Sequence, residues 1–141
     1  MKALYLIVSL LSVGCGQRFT YDYAFVGPEE DCTEAKKAAS EWNGCQSVHV
    51  TVSCGRDPAK ETITFQPGSE VLGAPKLARG WTNGDGNITY VHTWDLTVSS
   101  IIAHEMGHSM GLAHSSHGVM GVHEDHTETV IGDDCALLDR R

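Results

Sequence analysis

Positive charge is scarce in this chain: 10 lysines and arginines stand against 18 aspartates and glutamates, for a formal net charge of -8 over 141 residues. Such a balance offers no basic stripe to nucleic acid or to an anionic membrane surface, so nucleic-acid binding is set aside. No apolar run is long enough to span a bilayer as a permanent helix, since the only sustained one, Ala3 to Val13, is too short. Internal repeats and low-complexity tracts are also lacking, which excludes solenoids and biased linkers. The length then leaves room for one domain with a single core, and a monomer is expected.

The first residues, Met1-Lys2, the apolar run and Gly14-Cys15, have the charged, apolar and small-residue regions of an export signal. Leu10-Leu11-Ser12-Val13-Gly14-Cys15 resembles a bacterial lipobox, although Ser12 stands where a lipobox prefers leucine. Cys15 is therefore a candidate lipid anchor, with ordinary cleavage after Gly14 as the other route. The expected organisation is a signal peptide at 1–14, a tether or leading segment at 15–28, and a catalytic domain at 29–141. Either route exports the chain, lipid-anchored at the cell envelope or secreted.

Setting Cys15 aside leaves Cys32, Cys45, Cys54 and Cys135, an even set suited to an oxidising compartment. A strand between Cys45 and Cys54, or a straight helix between Cys32 and Cys45, would hold those partners too far apart. Cys32 with Cys54 and Cys45 with Cys135 remain.

A helix is expected from about Pro28, with Glu29, Glu30 and Asp31 at its positive end and Ala35, Ala38, Ala39 and Trp42 on its apolar face. Asn43-Gly44 ends it. Strands are expected over Ser47 to Ser53, Ile63 to Phe65 and Ile88 to Val91, with a short edge strand around Leu77 to Arg79 that could receive an extended peptide. Asn83 to Asn87 reads as a turn; its calcium-like spacing lacks the rest of an EF-hand loop. Trp42 and Trp94 are expected in the core, and Trp81 either lines the cleft or covers the core from a loop. A later helix, capped by Asp95 or Thr97, carries Val98, Ile102, Met106 and Met110 on one face, and a short final helix runs from about Asp133 to Leu138.

The chemistry sits on that later helix. His104 and His108, four residues apart, project from one face and can meet one ion, with Glu105 rotated so that it reaches a water on the open side. Gly111 can end the helix in a left-handed conformation and return His114 to the same ion. Three ligands leave one position open.

This stretch resembles the metzincins, whose His-Glu-x-x-His-x-x-Gly-x-x-His signature stands complete from His104 through Glu105, His108 and Gly111 to His114. The resemblance implies an α+β, zincin-like catalytic domain, with a small twisted mixed sheet, a first helix, an active-site helix and a short final helix. It implies Zn2+ on His104, His108 and His114, Glu105 as general base, a Met-turn at Met120, and endopeptidase action on a peptide or protein substrate. Gly107, Leu112, Ser115, the order of Leu77-Ala78-Arg79 and Gly86-Asn87-Ile88-Thr89-Tyr90, and the Gly132 to Leu138 tail are most similar to matrixins. Gly121-Val122-His123 lacks the Tyr-Pro wall of animal matrixins, so their substrate preference does not carry over. Val122 stands where astacins and serralysins place a tyrosine near zinc, so no tyrosine donor is expected there. Ser53-Cys54-Gly55-Arg56-Asp57-Pro58 is read as a disulfide site rather than as a cysteine switch. His49, His92, His117, His123 and His126 are read as loop or surface residues. The alternative from another class is a non-catalytic zinc-binding surface lipoprotein, but a structural zinc site is usually closed by a fourth ligand and gives Glu105 no role.

Overall fold

A computed structural model describes residues 18–74, 78–121 and 129–140. Among the described residues there are a five-stranded mixed sheet, order β2-β1-β3-β5-β4, and three helices. The strands are β1 (Phe19–Val26), β2 (Val48–Cys54), β3 (Glu61–Phe65), β4 (Gly80–Thr82) and β5 (Ile88–Tyr90); the helices are α1 (Glu29–Trp42), α2 (Val98–Ser109) and α3 (Gly132–Asp139). The fold is α+β, as expected.

β1 falls within the tether or leading segment expected over 15–28, as a strand of the sheet. Phe19, Tyr21, Tyr23 and Phe25 alternate with smaller or polar residues, which is the strand period. The strand lies inside the sheet, parallel to β2 on one side and β3 on the other, with Tyr23, Ala24 and Phe25 buried. β5 continues the parallel set beside β3, and β4 closes the sheet antiparallel to β5.

Leu77, where the edge strand was expected, lies outside the described residues. Arg79 takes part in the edge, its carbonyl accepting from Val91 N–H at 3.0 Å, but the strand proper begins at Gly80. Just before it, the Ala78 carbonyl accepts from Val71 N–H at 2.9 Å.

α1 follows its expected bounds, and Cys32–Cys54 and Cys45–Cys135 are both bonded. α1 packs against β2 and α2 against β4 and β5, and the two helices meet. Trp42 is fully buried at their junction, its indole N–H donating to the Ala103 carbonyl at 2.9 Å. Trp94 departs from expectation and is 96% exposed. It sits in the loop between β5 and α2, where Arg79 grips Asp95 at 2.6 Å and Thr97 caps the helix, and its own side chain turns outward. Among the described residues no helix is long and apolar enough to cross a membrane.

Candidate metal centre

α2 begins on a sound cap, the Thr97 hydroxyl accepting from Ser100 N–H at 3.2 Å. Ile102, Met106 and Met110 are buried along one face, with Val98 packed at its margin. That burial fixes the rotation of the helix and hence where His104 and His108 point. Gly111, at φ 87°, ends the helix as expected, and the chain returns through His114.

The three histidines converge. His104 Nε2 and His108 Nε2 are 3.1 Å apart, and His114 Nε2 lies 3.2 Å from the first and 3.1 Å from the second. Nδ1 of His104 meets the Val119 carbonyl at 2.7 Å, and Nδ1 of His108 meets the Leu112 carbonyl at 2.8 Å. A carbonyl only accepts, so in both neutral rings the hydrogen sits on Nδ1 and Nε2 presents a lone pair. Lone pairs turned together at this range call for a cation between them. Nitrogens about 2.0–2.1 Å from one tetrahedral ion would lie roughly 3.3 Å apart, close to the observed triangle, so the cluster fits the zinc implied by the sequence.

Glu105 is placed beside the cluster and is only 5% exposed. The Thr82 hydroxyl on β4 lies 2.7 Å from Glu105 Oε2 and 2.9 Å from its main-chain oxygen. Burial pushes the Glu105 carboxyl above its ordinary range, opposed by the Thr82 hydrogen bond and then by nearby His108.

Met120 is fully buried under α2, and Gly107 explains how it gets there. A Cβ on Gly107 would stand 2.1 Å from the Met120 sulfur, so only glycine admits the methionine at this depth. The loop between His114 and Met120 closes on itself, Ser115 N–H donating to the Met120 carbonyl at 2.9 Å.

Two residues of the site were not foreseen. Thr82 carries no sequence signal, because a threonine at the end of a short strand is unremarkable. Asp134, fully buried at the start of α3, accepts from Val119 N–H at 3.0 Å, Met120 N–H at 3.3 Å and Ile131 N–H at 2.9 Å. It thereby holds the peptide whose Val119 carbonyl orients His104. Its neighbour Asp133 instead pairs with exposed His117 at 2.5 Å, and nothing in the sequence separates the two aspartates. His92 bonds the buried Asp31 carboxylate at 2.5 Å, which Tyr90 also reaches at 2.6 Å. His49 is exposed on β2. Cys15, Val122, His123 and His126 lie outside the described residues.

No protein-family model and no curated protein sequence matches the chain. Among solved structures it is similar to the crystal structure of archaemetzincin from Methanopyrus kandleri, with a TM-score of 0.59 and 15% identity, over 91% of this chain and 97% of that one. It is also similar to myroilysin, with a TM-score of 0.48 and 16% identity, over 70% of this chain and 50% of that one. The fold is metzincin-like.

Proposed function

We propose that the chain is an exported zinc-dependent endopeptidase with His104, His108 and His114 as ligands and Glu105 as general base. The observation that carries this reading is the triangle of Nε2 atoms, two of them with Nδ1 committed to carbonyls, flanked by a buried carboxylate. Zinc bound there would supply a Lewis acid, polarising a peptide carbonyl and making water a nucleophile near neutral pH. Glu105 accepts the proton of the attacking water and returns it to the leaving amine. β4, the terminal strand of the sheet, offers its outer main-chain groups to an extended peptide, which favours breadth over sequence preference. Met120 serves as the Met-turn, packed on Gly107.

The site motif and the α3 segment favour a matrixin-like member of the metzincin group. Two disulfides support an oxidising, extracytoplasmic setting, and Cys15 remains the candidate membrane anchor. The zinc-loaded chain from Gly16 onward, offered a mixed peptide library, should cut internal bonds. Chelation should abolish cutting, and Glu105→Ala should abolish it while keeping zinc. Stoichiometric zinc with no cleavage across the library would favour the non-catalytic binding protein instead. Mass analysis of the N-terminus decides whether Cys15 carries lipid.

A further inference from the structure

On the peptidase reading above, we propose that Thr82, with Gly80, positions the general base. The two residues stand two apart on β4 and so present to the same face of the sheet, the face that meets α2 at Glu105. Thr82 Oγ1 lies 2.7 Å from Oε2 and 2.9 Å from the Glu105 main-chain oxygen, so its single hydrogen is shared between two acceptors of the same residue. As a β-branched residue, Thr82 has few χ1 choices, so its hydroxyl is itself fixed.

Gly80 shapes the other side of the same carboxylate. A Cβ there would lie 2.6 Å from Glu105 Cγ and 2.7 Å from Oε1, so that oxygen rests against bare main chain. One carboxylate oxygen is therefore held by a hydroxyl, and the other is admitted by a missing side chain. Burying a carboxylate this deeply is costly, and a position that served packing alone would hold an apolar residue. What the arrangement supplies is a base whose orientation is set before substrate arrives, and a misplacement of about 1 Å can cost on the order of 100-fold in rate.

The test compares zinc-loaded wild type with Thr82→Val, Thr82→Ser and Gly80→Ala. Thr82→Val keeps the shape and removes the hydroxyl; kcat should fall about 10- to 100-fold, with KM and zinc content unchanged. Thr82→Ser should recover most of the loss, and Gly80→Ala should reproduce the kcat defect by pushing Glu105 aside. Wild-type kcat in Thr82→Val, a loss carried by KM, or a serine variant no better than valine overturns the proposal. Should Thr82→Val not fold, Gly80→Ala decides: a selective kcat loss supports positioning, and an unchanged kcat overturns it. A wild type that cuts no peptide would defeat the peptidase reading separately. Crystal structures then read the contact itself: Glu105 leaving β4 in Thr82→Val supports the proposal, and Glu105 staying in place overturns it.

Discussion

The two flanks of the candidate metal centre are built differently. On one, His104, Glu105 and His108 ride a capped helix whose apolar face is locked against β4, β5 and α1. On the other, His114 hangs in an exposed loop, held by the Gly111 turn, the Ser115–Met120 hydrogen bond and the carboxylate of Asp134 beneath the Met120 peptide. Regular structure sets the first flank through repeated main-chain bonds and burial. The second depends on a few individual contacts, each of which can be removed alone.

The largest effect should come from the ligands themselves. His108→Ala dismantles the helix pair and should lower zinc affinity by more than the roughly 10- to 100-fold that outer partners contribute. Zinc retained at full stoichiometry against a competing chelator would sink the ligand assignment.

Asp134→Ala attacks the loop flank from below. Three main-chain donors lose their acceptor, so denaturant unfolding should show a loss of about 3 kcal/mol. Zinc affinity should drop roughly 10- to 100-fold, because the Val119 carbonyl that orients His104 is no longer held in place. An unchanged affinity would mean that the loop keeps its shape without α3.

Gly111→Ala should have a smaller effect. A side chain at φ 87° costs about 1–2 kcal/mol, and a partly displaced His114 should weaken zinc binding more than that stability loss alone implies. Isothermal titration beside thermal unfolding separates the two. The smallest change is expected on the helical flank: Thr97→Ala should cost about 1 kcal/mol and leave zinc affinity unchanged, because six residues of packed helix lie between the cap and His104. A zinc defect in that variant would show that the cap helps to set where His104 and His108 point.

The same contrast explains what could be read in the sequence. The helical flank was legible because ligand spacing, apolar periodicity and cap residues are local patterns, and each follows from helix geometry. The disulfide pairing was legible for a similar reason: reach along a helix or a strand excludes the alternatives. β1 was also written in the sequence, as aromatic residues at Phe19, Tyr21, Tyr23 and Phe25, but its place just after the expected export signal favoured reading it as a tether or leading segment. Trp94 misled because a tryptophan before a buried helix usually packs, whereas here Trp42 already fills the junction between helices. Asp134 and Thr82 were beyond sequence reasoning altogether. Their partners at the site, Glu105 for Thr82 and Val119 and Met120 for Asp134, lie 14 to 23 residues away, and only the closed fold brings them together.

The Cys45–Cys135 bond spans 90 residues, and His104, Glu105, His108, His114 and Met120 all fall within that span. Closing so long a loop disfavours the unfolded chain by roughly 4–5 kcal/mol. It also makes the centre a covalent ring. A single backbone cut at an exposed turn within the ring, by a neighbouring enzyme or by another copy of this chain, leaves both pieces joined. The parts of the candidate metal centre then stay at high effective concentration and can come together again. A nicked molecule should therefore run as two bands only after reduction, and should keep its zinc until the disulfide is opened.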